Sequence, residues 1–182
     1  MVVLFVASTF KHIKAFHIPY ITMLCNQGHI VDAAANDVHI DVPQTNKNYN
    51  LPINRSPFSY SNLSAISALR KLIRINKYDL IHCHTAMGSV VTRLACLFLK
   101  NRPKVIYTAH GFHFFKGGPL KNWLLYFPME WILSFCTDSL IVLNEEDYVI
   151  AKKWFHIKAL VKIDGIGLDV KKIESVDLGK NE

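Results

Sequence analysis

The sequence predicts an α/β fold, a Rossmann-like parallel sheet with helices on both faces. Three observations carry that prediction. Short, uninterrupted apolar runs such as Val2–Ser8 and Val105–Thr108 have the pattern of parallel strands buried on both sides. Between such runs lie stretches whose apolar residues recur at three-to-four spacing, so strands and helices alternate along the chain. The 182 residues, 51% hydrophobic and 19% charged, suffice for one well-filled core and leave no room for a second domain of equal size.

Taken in order, Val2–Ser8 is the first strand. A helix over Lys14–Gln27 follows, with Phe16, Tyr20, Met23 and Leu24 on one side, Pro19 in its first turns and Gly28 as the stop signal. His29–Ala34 is the second strand. Asn36–Asn50 is polar and reads mostly as loop, and Tyr49–Ile53 is a third strand that ends at Arg55-Ser56-Pro57. From Asn62 to Asn76 the spacing is helical: Leu63, Ile66, Leu69, Leu72 and Ile73 make the buried stripe, while Ser67, Arg70, Lys71 and Arg74 face away. Leu80–His84 is the fourth strand, and Met87–Leu99 the next helix, with Val90, Val91, Leu94, Ala95 and Phe98 apolar. Val105–Ala109 is the fifth strand. Leu120–Cys136 is an aromatic-rich helix that Pro128 should kink or divide. Ser139–Leu143 is the sixth strand, Glu145–Phe155 a helix whose first-turn acids suit its dipole, and Ala159–Ile163 the last strand. Gly165-Ile166-Gly167 then breaks the chain. The expected domain is residues 1–168, and residues 169–182 read as a polar linker.

The formal charge of +7 and pI of about 9.2 favour a phosphorylated ligand, an anionic membrane surface or nucleic acid, without choosing among them. The basic residues are scattered and form no continuous arm. Cys25, Cys83, Cys96 and Cys136 lie far apart and fit reduced thiols better than a disulfide framework. No run reaches the roughly 20 apolar residues of a membrane-spanning helix. Trp123–Cys136, the longest candidate, is interrupted by Pro128 and Glu130. A cytoplasmic protein is expected, with peripheral contact on the inner face of the plasma membrane left open.

The chemistry gathers where strands end. After the first strand comes Ser8-Thr9-Phe10-Lys11-His12, which lacks the GxGxxG of a dinucleotide site, and neither a P-loop nor a GxSxG elbow occurs. The two informative stretches are Leu80–Thr85 and Lys104–Pro119, because ligands of open α/β sheets bind outside the carboxyl ends of the strands. His82 and His84 leave the fourth strand on the same face, with Cys83 opposite. With His110 and His113 they raise the question of zinc, but no carboxylate or third ligand stands at a fixed spacing. His82 reads better as a core histidine bonded within the sheet, and His84 as the one that reaches the cleft. His110 sits where the fifth strand gives way to Gly111, placed to hydrogen-bond a sugar hydroxyl; its plainer reading is a loop cap. Gly111, Gly117 and Gly118 fit turn chemistry, and Gly88 and Ser89 open a helix whose N–H groups suit an anion. The aromatic set Phe112, Phe114, Phe115, Trp123, Tyr126, Phe127 and Trp131 is partly core; its surplus beside Lys116 and Lys121 resembles an interfacial patch.

Several motifs together resemble the N-terminal half of a bacterial family-4 glycosyltransferase of the capsular or exopolysaccharide type. They are His82-Cys83-His84-Thr85, Thr108-Ala109-His110-Gly111-Phe112-His113-Phe114, Lys116-Gly117, Pro119-Leu120-Lys121-Asn122-Trp123 and Asn144-Glu145-Glu146-Asp147-Tyr148. His12, Phe16 and Pro19 near the start and Gly165-Ile166-Gly167-Leu168-Asp169 near the end match as well. The resemblance implies a GT-B architecture of two Rossmann-like domains, metal-independent transfer with retention, and a cleft between the domains. It implies a nucleotide-sugar donor held mostly by the C-terminal domain, a lipid-linked saccharide acceptor held by the N-terminal one, and neither a cofactor nor nucleic acid. His110 matches the histidine that meets the transferred sugar. His12, His84, Thr85, Gly88, Gly111, Phe112, His113 and Lys116 are the substrate-binding candidates, and no metal ligand is assigned. The family's paired glutamates and diphosphate-binding basic residue have no positions here, and Asp164 stands where a proline or uncharged residue is usual. The chain is thus expected to be inactive alone. The alternative is a non-catalytic binding or membrane-docking subunit that works with a separate catalytic partner.

Overall fold

The computed structural model describes residues 1–37 and 41–165. Its strands are β1 (Val2–Thr9), β2 (Ile30–Asn36), β3 (Lys47–Asn50), β4 (Leu80–His84), β5 (Lys104–Ala109), β6 (Ser139–Val142) and β7 (Ala159–Lys162). Its helices are α1 (Phe10–Phe16), α2 (Ile18–Asn26), α3 (Ser61–Asn76), α4 (Ala86–Cys96), α5 (Leu120–Ser134) and α6 (Glu145–Trp154). The seven strands form one sheet in the order β3-β2-β1-β4-β5-β6-β7, and every adjacent pair is parallel. The breaking turn at Ile166-Gly167 and the expected linker lie outside the described residues.

The apolar run of β1 explains the layering. Leu4 and Val6 enter one core with Ile81, Cys83 and Val105 of the neighbouring strands and with Leu69, Val91 and Ala151 of α3, α4 and α6. Val3, Phe5 and Ala7 point the other way, into a second core with Phe10 and Ile13 of α1 and Ile21 of α2. Alternation along an extended strand thus buries β1 on both faces.

Several boundaries differ from expectation, each for a local reason. The helix expected over Lys14–Gln27 is two helices meeting at His17: Thr9 Oγ1 accepts from the His12 N–H to start α1 early, and Pro19 lies in the first turn of α2, where its missing N–H costs nothing. β3 pairs over Lys47–Asn50 instead of Tyr49–Ile53, while Leu51 and Ile53 still bury their side chains beyond it. α4 stops at Cys96, and Phe98 takes a left-handed φ of 62° that leaves it 92% exposed, outside the core. Leu63 of the expected buried stripe is 66% exposed. Arg70 does not face away: it donates from Nε to the Ala95 carbonyl at 3.0 Å and from Nη2 to that of Leu94 at 2.7 Å, closing the C-terminus of α4. Pro128 leaves α5 undivided.

Two ionic contacts join elements that share no sequence neighbourhood. Arg93, wholly buried, donates to Glu130 at 2.8 and 3.1 Å and to Ser89 Oγ at 3.0 Å, with its guanidinium 4.5 Å from the centre of the Tyr107 ring. This pins α5 over α4 and β5. Asp138, just before β6, accepts from Arg102 at 2.5 Å, Lys158 at 2.8 Å and the Val105 N–H at 2.9 Å, tying the starts of three strands together. Burial pushes the Asp138 carboxyl up, but the hydrogen bonds from Arg102, Lys158 and Val105 outweigh it and hold the group well below the usual range. A depressed folded value means the carboxylate stabilises the fold above the ordinary aspartate range, and that this contribution is lost as pH falls through it. Asp138→Asn is therefore expected to lower the urea midpoint at pH 7, with the gap to the parent narrowing below pH ~4. A gap that stays constant with pH would show that the charge contributes nothing.

Candidate active site

The strand order changes direction between β1 and β4, and the crevice beyond the carboxyl ends of such a pair is where open α/β sheets bind ligands. A cavity of about 280 Å³ whose lining residues are mostly polar, called the polar cavity below, lies there, lined by Ser8 and Thr9 from the end of β1, His12 from α1, Arg55, Thr85 and His113, with Ala86 and Met87. Thr85 follows β4 with φ 63°, a strained value for a branched residue. Its hydroxyl oxygen accepts from the Ser8 N–H at 3.0 Å and the Gly88 N–H at 3.3 Å, which caps α4 and locks the two strand ends together. Gly88 allows this approach, since a Cβ there would lie 3.0 Å from the Ala7 backbone. Its N–H is committed to Thr85, so Gly88 is a packing residue and does not offer the anion donor expected of it.

A second, apolar cavity of about 380 Å³ opens alongside, lined by Phe58, Leu63, Val90, Phe112, Tyr126 and Met129 among others. Arg55, Ala86, Met87 and His113 line both. Its wall includes Tyr107 and Glu130, so the buried ion pair that positions α5 also shapes this cavity.

Beneath the polar cavity five imidazoles meet. His84 is 1% exposed, stacked on His17 with ring centres 3.7 Å apart and on Phe5 at 5.9 Å. His12 packs against His17 at 5.3 Å and meets His110 edge-on at 5.0 Å. His82 bonds Thr108 Oγ1 at 2.9 Å, within the sheet. Burial, and then the neighbouring rings, depress four of these values: His12 to about 4 (with Arg55 contributing), His17 to about 3, His82 to about 4, and His84 well below 6.5. Burial also lowers His110. All five shifts favour the uncharged ring.

The expected site residues therefore divide. His12, Thr85 and His113 line the polar cavity, and Gly111, Phe112 and His113 the apolar one. His110, exposed at the end of β5, lines neither but stands over His12. His84 does not reach the open cleft, because His17 covers it. Lys116 lines neither cavity; its N–H donates to Glu146. The acids at the start of α6 serve the same loop, for Asp147, its carboxyl pKa raised by burial, accepts from the Phe112 N–H at 3.1 Å. Trp123 packs on Phe114 and Phe127 and bonds the Phe115 carbonyl, so it belongs to the aromatic core. Sequence reasoning misses Arg55 and His17. Arg55 carries the signal of a lone cation just past a strand; His17 carries none, because its partners lie on other elements.

Residues 2–144 match the family described as Glycosyl transferase 4-like. The chain belongs to that family. EpsD of Bacillus subtilis (strain 168), named as a glycosyltransferase, is 44% identical over 176 residues, covering 96% of this chain and 46% of that protein. The Escherichia coli UDP-Gal:alpha-D-GlcNAc-diphosphoundecaprenol alpha-1,3-galactosyltransferase is 30% identical over 111 residues, 60% of this chain and 28% of that one. Among solved structures, sucrose-phosphate synthase of Thermosynechococcus elongatus superposes with a TM-score of 0.60 at 14% identity, over 90% of this chain and 47% of that chain. That likeness shows the fold, one Rossmann-like half of a GT-B architecture. The chain spans less than half the length of these curated relatives.

Proposed function

We propose that this chain is the acceptor-side half of a retaining glycosyltransferase that moves a sugar from a nucleotide-sugar donor to a lipid-diphosphate-linked saccharide. One observation carries the reading: the polar cavity at the strand ends adjoins an apolar one, with the Arg55 cation at their junction. An amphiphilic acceptor has the same order of parts. Its saccharide fits beside Ser8, His12, Thr85 and His113, its diphosphate at Arg55, and the first units of its hydrocarbon chain among Phe58, Leu63, Phe112 and Met129. His110, standing over His12, is the residue assigned to the transferred sugar. The name of the Escherichia coli relative specifies an acceptor of this type, a sugar on diphosphoundecaprenol.

The outer face of α5 supports a contact with a membrane surface. Leu120 and Leu124 are 72% and 71% exposed, and Leu125 and Met129 continue that face into the wall of the apolar cavity. No helix among the described residues is long and apolar enough to cross a membrane. The proposed contact is a peripheral one, carried by the leucines of α5 and not by Trp123. Leu120→Glu with Leu124→Glu is expected to reduce sedimentation with anionic liposomes several-fold, since each substitution withdraws an apolar contact and adds a negative charge. Sedimentation equal to that of the parent would remove α5 from the membrane contact.

The function is tested by transfer. Joined on one polypeptide to the carboxyl-terminal half of the Bacillus subtilis relative, the chain is expected to move radiolabelled sugar into a lipid-diphosphate acceptor, and alone to leave the donor untouched. Turnover by the isolated 182 residues, or equal turnover with a saccharide lacking the lipid, would contradict the proposal. Liposome binding without transfer in the joined protein would favour the docking-subunit reading.

A further inference from the structure

We propose that His12, His17, His84 and His110 form a binding site for one divalent transition-metal cation of the zinc class. Each of the four offers a ring nitrogen, and these four atoms all lie within 4.8 Å of one another. They arrive from four places in the chain: α1, the α1–α2 junction, the end of β4 and the end of β5. Imidazole binds zinc at about 2.0–2.1 Å, which sets tetrahedral ligand atoms roughly 3.4 Å apart. Rotations that move the ring nitrogens by about an ångström therefore close the site, without moving the sheet.

A second observation points the same way. His12 Nε2, His17 Nε2 and both ring nitrogens of His84 are buried and have no hydrogen-bond partner. Buried polar atoms are nearly always paired, and several unpaired nitrogens gathered at one point need an occupant. The donor set selects its chemistry. No carboxylate or thiol among the described residues joins it, which disfavours magnesium and calcium, whereas neutral imidazole suits zinc, copper, nickel and iron. His17 and His84 form the sealed floor and exposed His110 the mouth through which an ion enters.

This set differs from the His82, His84, His110 and His113 group that the sequence suggests. His82 is held by Thr108, and the His113 ring packs on Tyr126 at 4.8 Å. The inference goes beyond the transferase reading and does not depend on it. Within that reading the cation would hold the ring of His110 in place and need not touch the donor or the acceptor, so the transfer chemistry itself stays metal-independent.

The test uses the chain stripped with chelator and then titrated with Zn²⁺ and, separately, Co²⁺. The expected result is one equivalent bound, the visible d–d bands of tetrahedral Co²⁺, and a Tm rise of about 5 °C or more at a hundred-fold excess over Kd. His12→Ala, at a half-buried helix position, should abolish the bands and the shift while keeping the parent's circular dichroism. His17→Ala should do the same if it folds, and His156→Ala, whose ring stacks on Phe135 outside the cluster, should bind as the parent does. Failure of the parent to take up either ion would overturn the site. So would full uptake by His12→Ala, which would place the metal on other histidines or on the exposed part of Cys25.

Discussion

His110→Ala is expected to lower sugar transfer by the joined enzyme about 10²–10⁴-fold, the range for a side chain that exchanges a proton or a charge-bearing hydrogen bond with the reacting groups. The position allows a large functional effect with a small structural one. His110 is exposed, it follows the last residue of β5, and its ring meets the cluster mainly through the edge of His12. Surface substitutions of this kind usually change stability by less than about 0.5 kcal/mol. The loss should therefore fall on kcat, with the thermal midpoint of the metal-stripped protein nearly unchanged. Turnover within a factor of about three of the parent would take His110 out of the chemistry. It would leave Arg55 and the two cavities as the basis of the acceptor reading.

The second large effect is structural. Glu130→Ala leaves the Arg93 guanidinium wholly buried, with only Ser89 and the Tyr107 ring for company. Breaking a buried pair from one side typically costs about 3–5 kcal/mol, because the remaining charge has lost its counter-ion and cannot reach water. For a chain of this length that is roughly a 6–20 °C fall in Tm. Replacing both partners by apolar residues of similar size, Arg93→Met with Glu130→Leu, is expected to recover most of the loss, since no charge is then left unpaired. If the double variant is as unstable as the single one, the pair contributes more than its own neutralisation. Because Glu130 also lines the apolar cavity, the single variant should bind lipid acceptors more weakly than its residual stability predicts.

The division between what the residues announce and what they hide follows from range. β1, β4 and β5 are legible because strand burial on both faces leaves an unbroken apolar run, and that property is local. His82 can be placed within the sheet for the same reason. The helix boundary at His17 is not legible, because Lys14–Gln27 keeps a continuous apolar spacing across the junction. The site itself depends on strand order. β1 and β4 are neighbours, with Val6 opposite Cys83, although 77 residues separate them, so Ser8 meets Thr85 by a pairing no local pattern encodes. Arg70, Arg93 and Glu130 look like ordinary helix-surface charges, yet their partners lie 24 to 37 residues away. His84 shows the limit most plainly. Parity gives the face it leaves from, and only the ring of His17 above it decides that it is sealed.

The most direct test of the central claim is photo-crosslinking of the 182-residue chain with a polyprenyl-diphosphate saccharide carrying a photoreactive group in its first isoprene units. Saturable labelling is expected, confined to residues 55–66, 86–94, 107, 111–114 and 125–130 around the apolar cavity. Labelling should be competed by unlabelled lipid-linked saccharide and weakened at least about ten-fold by Arg55→Ala, which removes the diphosphate's cation. Labelling that ignores the competitor, or that falls on strands and helices away from that cavity, would contradict the central claim.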